Sequence, residues 1–295
     1  MTPLLDRLKQ GPMVADGAMG TQLMARGLKP GECPEAFGLE HPEALAEIAS
    51  AYLEAGAEIV QTNTFGGSPL KLACYKLEGR TEEINRKAVE AVRRAVGGKA
   101  YVSASCGPTG KLLKPAGDAD PEEVSAAFQR QMKALLEAGA DVLCVETMTD
   151  LAEAALAVKA AKSLRPDAPV MATMTFDKGP RGFFTMMGVS VKKAVEGLQA
   201  AGADVVGSNC GNGIEAMVLI AREMRALTDL PLLIQSNAGL PRLVGGKTVY
   251  PETPEFMAEK AKDLLAAGVS IVGGCCGTTP EHIRAIQKTV SDFQV

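Results

Sequence analysis

Four copies of one short pattern constrain this chain more than any other feature. They read Glu54-Ala-Gly-Ala-Glu-Ile-Val60, Glu137-Ala-Gly-Ala-Asp-Val-Leu143, Ala200-Ala-Gly-Ala-Asp-Val-Val206 and Ala266-Ala-Gly-Val-Ser-Ile-Val272. Each is the end of a helix, a glycine suited to the left-handed stop, and a short apolar β-branched run of the kind found in strands covered on both faces. Before the first copy, Leu45, Ile48, Ala49, Tyr52 and Leu53 recur at helical spacing, with Gly56 placed as the cap.

Between the copies lie four more strand candidates: Met13–Ala15, Tyr101–Ser105, Val170–Phe176 and Pro231–Gln235. Helical stretches follow the strands at roughly 43–56, 81–97, 121–139, 150–163, 190–202, 213–228, 254–268 and 280–291, so the order is strand then helix throughout. Eight such units in 295 residues predict an α/β fold with a single (β/α)8 TIM barrel, one domain over 1–295, and the repeat copies on strands two, four, six and eight. The competing doubly wound sheet is disfavoured at its nucleotide-binding turn. Asp16-Gly-Ala-Met-Gly-Thr21 lacks the Gly-x-Gly-x-x-Gly spacing, and there is no Walker loop. The long Gly- and Pro-rich loops, 63–77, 106–121 and 237–253, all follow strands and therefore open onto the C-terminal face, where barrels keep their chemistry.

Composition narrows the partners. The net charge is −4 with both signs interspersed, there is no Trp, and aromatics are 4% of the chain. Neither a basic stripe for phosphates nor a stacking platform for bases is present, so nucleic acid is not expected. Charges at Asp6, Arg7, Lys9 and Asp16 interrupt the N-terminus, leaving no run for a signal peptide or membrane span and a cytoplasmic expectation by default.

Seven cysteines, at 33, 74, 106, 144, 210, 275 and 276, are an odd and widely spaced set in a chain of this kind, which argues for buried thiols or metal ligands over disulfides. Strand six ends in Gly207-Ser-Asn-Cys-Gly-Asn-Gly213 and strand eight in Gly273-Gly-Cys-Cys-Gly-Thr-Thr279. Both deliver cysteine to one rim, and three thiolates with a fourth position open are the pattern of a catalytic zinc site. The glycines around the trio are expected to leave room for a ligand. Cys33, Cys74, Cys106 and Cys144 are expected to be small buried hydrophobes. A redox pair at Cys275 and Cys276 lacks the Cys-x-x-Cys spacing.

Asp16 follows strand one and Glu146 ends strand four, so both belong to the same mouth and suit an ammonium group, although Asp16 could instead cap a helix and Glu146 could form a rim ion pair. His41 and His282, at apparent helix starts, read as solvated or capping residues, and Lys178 as part of an exposed turn.

Asp16-Gly-Ala-Met-Gly-Thr21, Gln61-Thr-Asn-Thr-Phe65, Glu146-Thr147, Gly207-Ser-Asn-Cys210, Asn237-Ala-Gly-Leu-Pro241 and Gly273-Gly-Cys-Cys-Gly277 together resemble the homocysteine S-methyltransferase family. Within it the chain is most similar to the homocysteine-binding module of cobalamin-dependent methionine synthases. The resemblance implies a barrel in which Cys210, Cys275 and Cys276 bind Zn2+, Asp16 and Glu146 meet the substrate ammonium, backbone donors at Gly17 and Ala18 take its carboxylate, and Asn237 completes the metal shell without substrate. Homocysteine is the implied acceptor. The implied donor is a methylated corrinoid (methylcobalamin) on a partner protein or module, since the chain stops at Val295, right after its last helix. S-methylmethionine or betaine are alternative donors, the latter disfavoured by the scarcity of aromatic residues for a cation cage. A catalytically silent zinc- or thiol-binding scaffold and a hydrolytic or aldolase-like barrel are the readings from other classes.

Overall fold

A computed structural model describes residues 1–245 and 247–293, so the last two residues of the expected domain, 294–295, lie outside the described residues. Eight parallel strands form one sheet: β1 (Met13–Val14), β2 (Ile59–Gln61), β3 (Tyr101–Cys106), β4 (Val142–Met148), β5 (Val170–Met174), β6 (Val205–Asn209), β7 (Leu232–Ser236) and β8 (Ile271–Gly274). They pair in sequence order from β2 through β8, and β8 pairs with β1. The circle is completed between β1 and β2 by a single bridge, Ala15 with Ile59, and by the backbone bonds Asp16 N to Ile59 O (2.9 Å) and Glu58 N to Val14 O (2.8 Å). The expected barrel is thus nearly closed, and the repeat copies lead into β2, β4, β6 and β8.

Eight helices alternate with the strands: α1 (Pro42–Glu54), α2 (Thr81–Val96), α3 (Pro121–Glu137), α4 (Leu151–Leu164), α5 (Val191–Ala201), α6 (Ile214–Arg225), α7 (Pro254–Ala266) and α8 (Pro280–Phe293). Four of their starts are set by side chains that accept first-turn N–H groups: Asp120 from Glu122, Asp150 from Ala152, Ser190 from Lys193 and Thr253 from Phe256. In α2 the buried residues Ile84, Ala88, Val89, Val92 and Val96 make one stripe against the sheet.

Two cores result. The larger lies between strands and helices. The smaller fills the barrel, where Met13, Ile59, Tyr101, Val142, Cys144, Met171, Val205, Leu233 and Ile271 pack with Leu4 and Leu8. Leu4 and Leu8 belong to a five-residue helix, Leu4–Leu8, that precedes β1 and corrects the expectation of strand-then-helix order throughout. Period-two alternation carries the inward face from these apolar residues to Gln61, Ser105, Glu146, Thr173, Asn209 and Gln235 at the C-terminal end, all but Asn209 and Thr173 leaving some surface open. The interior is therefore apolar below and polar above.

The rim carries elements that periodicity did not show. The β1–α1 connection holds short helices at Gly20–Ala25 and Pro34–Glu40. Antiparallel hairpins of three-residue strands, Asp177–Gly179 with Gly182–Phe184 and Arg242–Val244 with Lys247–Val249, follow β5 and β7. Lys178 is exposed as expected, but in a strand of the first hairpin, opposite Phe183, and not in a turn. Among the described residues no helix is long and apolar enough to cross a membrane.

Candidate active site

Cys210 directly follows β6, and Cys275 and Cys276 directly follow β8. Their three sulfurs lie within 4.8 Å of one another, and Cys210 Sγ is 3.9 Å from Cys276 Sγ. Among the described residues this is the one cluster of His, Cys, Asp or Glu whose spacing could hold a metal ion. A tetrahedral ion with Zn–S bonds of about 2.3 Å places its sulfurs about 3.8 Å apart, so the donor set fits zinc in both chemistry and spacing. Beside it Asn237 is buried with Oδ1 lacking a partner, and its side chain hydrogen-bonds Cys210. Hydrogen bonds from the Cys275 and Cys276 thiols lower the pKa of Cys210, and the hydrogen bonds to Cys210 together with burial push those of Cys275 and Cys276 upward. The Tyr250 hydroxyl lies against Cys276, and burial together with the nearby thiols raises it to about 12.

The glycines beside these cysteines are required by close protein packing, and one of them, Gly274, also lines the cavity beside the trio. A Cβ on Gly207 would sit 1.8 Å from Leu233 O, and one on Gly274 2.3 Å from Thr278 Oγ1. The cavity lies over the polar end of the barrel interior, with a volume of about 230 Å³. The cysteine trio forms one wall and Gly17, Ala18 and Met19 another; Gln61, Ser105, Glu146 and Gln235 form the floor, and Glu35, Asn63 and Phe65 the outer side.

Glu146 is buried and accepts three side-chain hydrogen bonds while still lining the cavity. Gln61 Nε2 (3.2 Å) and the Ser105 hydroxyl donate to Oε1, and Asn209 Nδ2 donates to Oε2 (3.1 Å). Burial raises its pKa to about 7, with the Cys210 charge adding to the rise and the Ser105 and Gln61 bonds opposing it. Asp16 does not line the cavity. Its Oδ2 accepts the Gln61 N–H at 2.7 Å while Oδ1 is buried without a partner, and burial raises the carboxyl to about 8, the Gln61 bond opposing and Glu146 adding.

Of the two backbone donors expected to meet a carboxylate, the Ala18 N–H is already engaged by Thr278 Oγ1 at 3.0 Å, which corrects that assignment. Gly17 remains on the wall. Cys33, Cys106 and Cys144 are buried as expected, and burial holds their thiols protonated by pushing each pKa upward. Cys74 is exposed instead, because it sits in a single 3-10 turn, Ala73–Tyr75, on the surface. His282 caps α8: its Nδ1 accepts the Thr279 N–H at 3.2 Å and its Nε2 meets Glu252 O at 2.9 Å. Gln61, Ser105, Asn209 and Tyr250 were not singled out as functional residues in the sequence. Alternation along β2, β3 and β6 from their apolar inward residues could have found the first three; nothing local marks Tyr250.

Comparison with known proteins agrees with this geometry. The sequence profile of the family described as homocysteine S-methyltransferase matches residues 13–290. Proteins named methionine synthase are 34% identical in Mycobacterium tuberculosis and 33% in Mycobacterium leprae, over 99% and 98% of this chain. The chain spans about a quarter of the length of these relatives, 26% and 25%. Among solved structures, the metallated form of the homocysteine methyltransferase MmuM from Escherichia coli superimposes with a TM-score of 0.80 at 27% identity, over 97% of this chain and 98% of that one. A methyltransferase from Methanosarcina mazei, at 14% identity and a TM-score of 0.65, covers 100% of this chain and 98% of its own and shares the fold.

Proposed function

The chain belongs to the homocysteine S-methyltransferase family, and from that premise we propose that it methylates the sulfur of homocysteine in the cavity bounded by Cys210, Cys275, Cys276 and Glu146. The observation that carries the reading is the arrangement itself: three converging thiols on one wall and a buried, donor-wrapped carboxylate on the floor. A γ-thiol amino acid needs those two ends.

Zinc held by Cys210, Cys275 and Cys276 would take the substrate sulfur as thiolate and keep it nucleophilic at neutral pH, where a free thiol of pKa about 8.5 is mostly protonated. The metallated form of the solved relative supports a metal here. Glu146 would accept the substrate ammonium, and Asp16, whose unpartnered Oδ1 lies behind the cavity wall next to Gly17, would turn toward it as second acceptor on binding; Gly17 would offer its backbone N–H to the carboxylate, and Asn237 would fill the ion's remaining position between turnovers. Burial favours the uncharged forms of both acids until an ammonium arrives, so the pocket is tuned to a cation. Transfer forms the sulfur–methyl bond as the donor–methyl bond breaks, and the thiol proton goes to solvent.

The donor we propose is a methylated corrinoid presented by a separate module or protein. Likeness to methionine synthases, of which this chain matches a quarter, supports it. The second reading is a small donor such as S-methylmethionine, favoured by the match to a homocysteine methyltransferase over nearly the whole of both chains. Zinc-loaded protein with L-homocysteine should be offered methylcobalamin, S-methylmethionine and betaine in parallel, and methionine followed. Methionine from methylcobalamin alone supports the first donor, and from S-methylmethionine the second. Homocysteine binding with no product from any donor would leave a scaffold, and no homocysteine binding would refute the assignment.

A further inference from the structure

Asn209 has no part in the reaction as derived so far, yet it is fully buried and directly precedes Cys210. Every hydrogen-bonding position of its carboxamide is used. Oδ1 accepts the Thr147 N–H (2.8 Å) and the Thr173 hydroxyl (2.7 Å), while Nδ2 donates to Glu146 Oε2 (3.1 Å) and Thr147 Oγ1 (2.8 Å). Three of these bonds end on Glu146 and Thr147.

Those two residues lie where the pairing of β4 with β5 shifts register, between Val145 and Met148. An irregularity of this kind re-aims a side chain and leaves an inserted residue without its ladder partner. The Asn209 carboxamide replaces that partner for the Thr147 N–H. Thr147 has φ +59° and Cys210 φ +60°, two side-chain-bearing residues in the left-handed region on either side of the same carboxamide. Such backbone persists only where its surroundings over-determine it. The four bonds need a carboxamide: aspartate offers acceptors alone and would face the Glu146 carboxylate, and apolar residues offer nothing.

We propose that Asn209 is the positioning residue that fixes the Glu146 carboxylate relative to Cys210, so that the cavity gauges the distance between the ammonium and the sulfur of its substrate. The inference rests on the homocysteine reading of the site. It makes acceptor selection a property of the β4–β6 junction, where one side chain ties the acid to the residue preceding the sulfur ligand.

The test is equilibrium binding, which needs no methyl donor. Cobalt-substituted wild type, Asn209→Ala and Thr173→Val are titrated with L-homocysteine, with 4-mercaptobutanoate, which is homocysteine lacking only its amino group, and with L-cysteine, one methylene shorter. Asn209→Ala should weaken homocysteine by about tenfold or more, the loss expected when a charged hydrogen-bonding group is no longer held in place, and leave 4-mercaptobutanoate within about twofold. Its preference for homocysteine over cysteine should narrow, and the cobalt–thiolate absorption should be retained. Thr173→Val removes one bond to Asn209 and keeps the other three, so it should show the same selective loss at about two- to fivefold; it carries the test if Asn209→Ala does not fold. Equal weakening of homocysteine and 4-mercaptobutanoate, or no weakening of either, would overturn the proposal. If wild type already binds these two thiols equally, the fault lies with the role given to Glu146, and the gauge falls with it.

Discussion

Acidifying the solution from pH 8 to pH 6 should cost the protein its preference for homocysteine over the amino-free thiol 4-mercaptobutanoate. Burial sets Glu146 at about 7, so the ionised form that receives an ammonium falls from about nine-tenths at pH 8 to about one-tenth at pH 6. If homocysteine engages only the ionised acid, its affinity falls about tenfold over that window, or about 1.4 kcal/mol. Asp16, at about 8, can only add to the loss, because its ionised fraction also falls as pH drops. Both ligands must ionise a thiol, so that requirement largely cancels in the ratio of their affinities. The assay is competition between the two thiols on metal-loaded protein at half-unit steps of pH, repeated with Glu146→Gln, which should flatten the part of the profile centred near 7. A ratio that does not change from pH 6 to 8, or a Glu146→Gln profile with the full wild-type slope, would refute the ammonium role.

Without ligand the same acid acts on stability with the opposite sign. A folded pKa of about 7 against 4.5 contributes stability that is complete below the unfolded value and lost as pH rises through 7, up to about 3 kcal/mol. Denaturant titrations should therefore show Glu146→Gln losing less stability than wild type between pH 5.5 and 8.5; parallel losses would contradict the burial argument. Replacing any of Cys210, Cys275 and Cys276 by Ala should lower zinc from about one per chain to near none with helical circular dichroism unchanged, since the three lie beyond the strand ends. Collapse of the dichroism in each variant would make the trio structural. Gly207→Ala should cost about 3 kcal/mol or more by urea titration, because its Cβ would lie 1.8 Å from Leu233 O, and a loss under about 1 kcal/mol would mean that the strands separate easily there.

Much of this architecture was legible because the repeat marks every second strand directly, and a parallel strand buried on both faces announces itself as an apolar run. The metal cluster was legible for the same reason: Cys210, Cys275 and Cys276 sit where those runs end, so placing the strands placed the thiols. What could not be read depends on contacts made across the sheet. Leu4–Leu8 is too short to show a helical period, and only the barrel interior gives Leu4 and Leu8 a partner. The register shift at Glu146–Thr147 is a relation between β4 and β5 and leaves no mark in either strand alone. Ala18 looks like a free backbone donor until Thr278, 260 residues away, is brought against it. Cys74 went the other way, since its surroundings include too little to bury it.

The barrel is joined weakly between β1 and β2, and that joint passes through Asp16. One bridge and two backbone bonds hold the two strands together; Asp16 makes one of those bonds, through its N–H to Ile59 O, and adds one further tie, its Oδ2 receiving the Gln61 N–H. Elsewhere neighbouring strands are laced by longer ladders, as between β3 and β4 or β7 and β8. Local opening of this fold is therefore expected at the residue proposed as second acceptor for the substrate ammonium. A ligand that binds there and not to the opened form must shift that opening equilibrium by the whole of its preference, so the tightness of the hoop and the affinity for the amino acid are one free energy measured at two places.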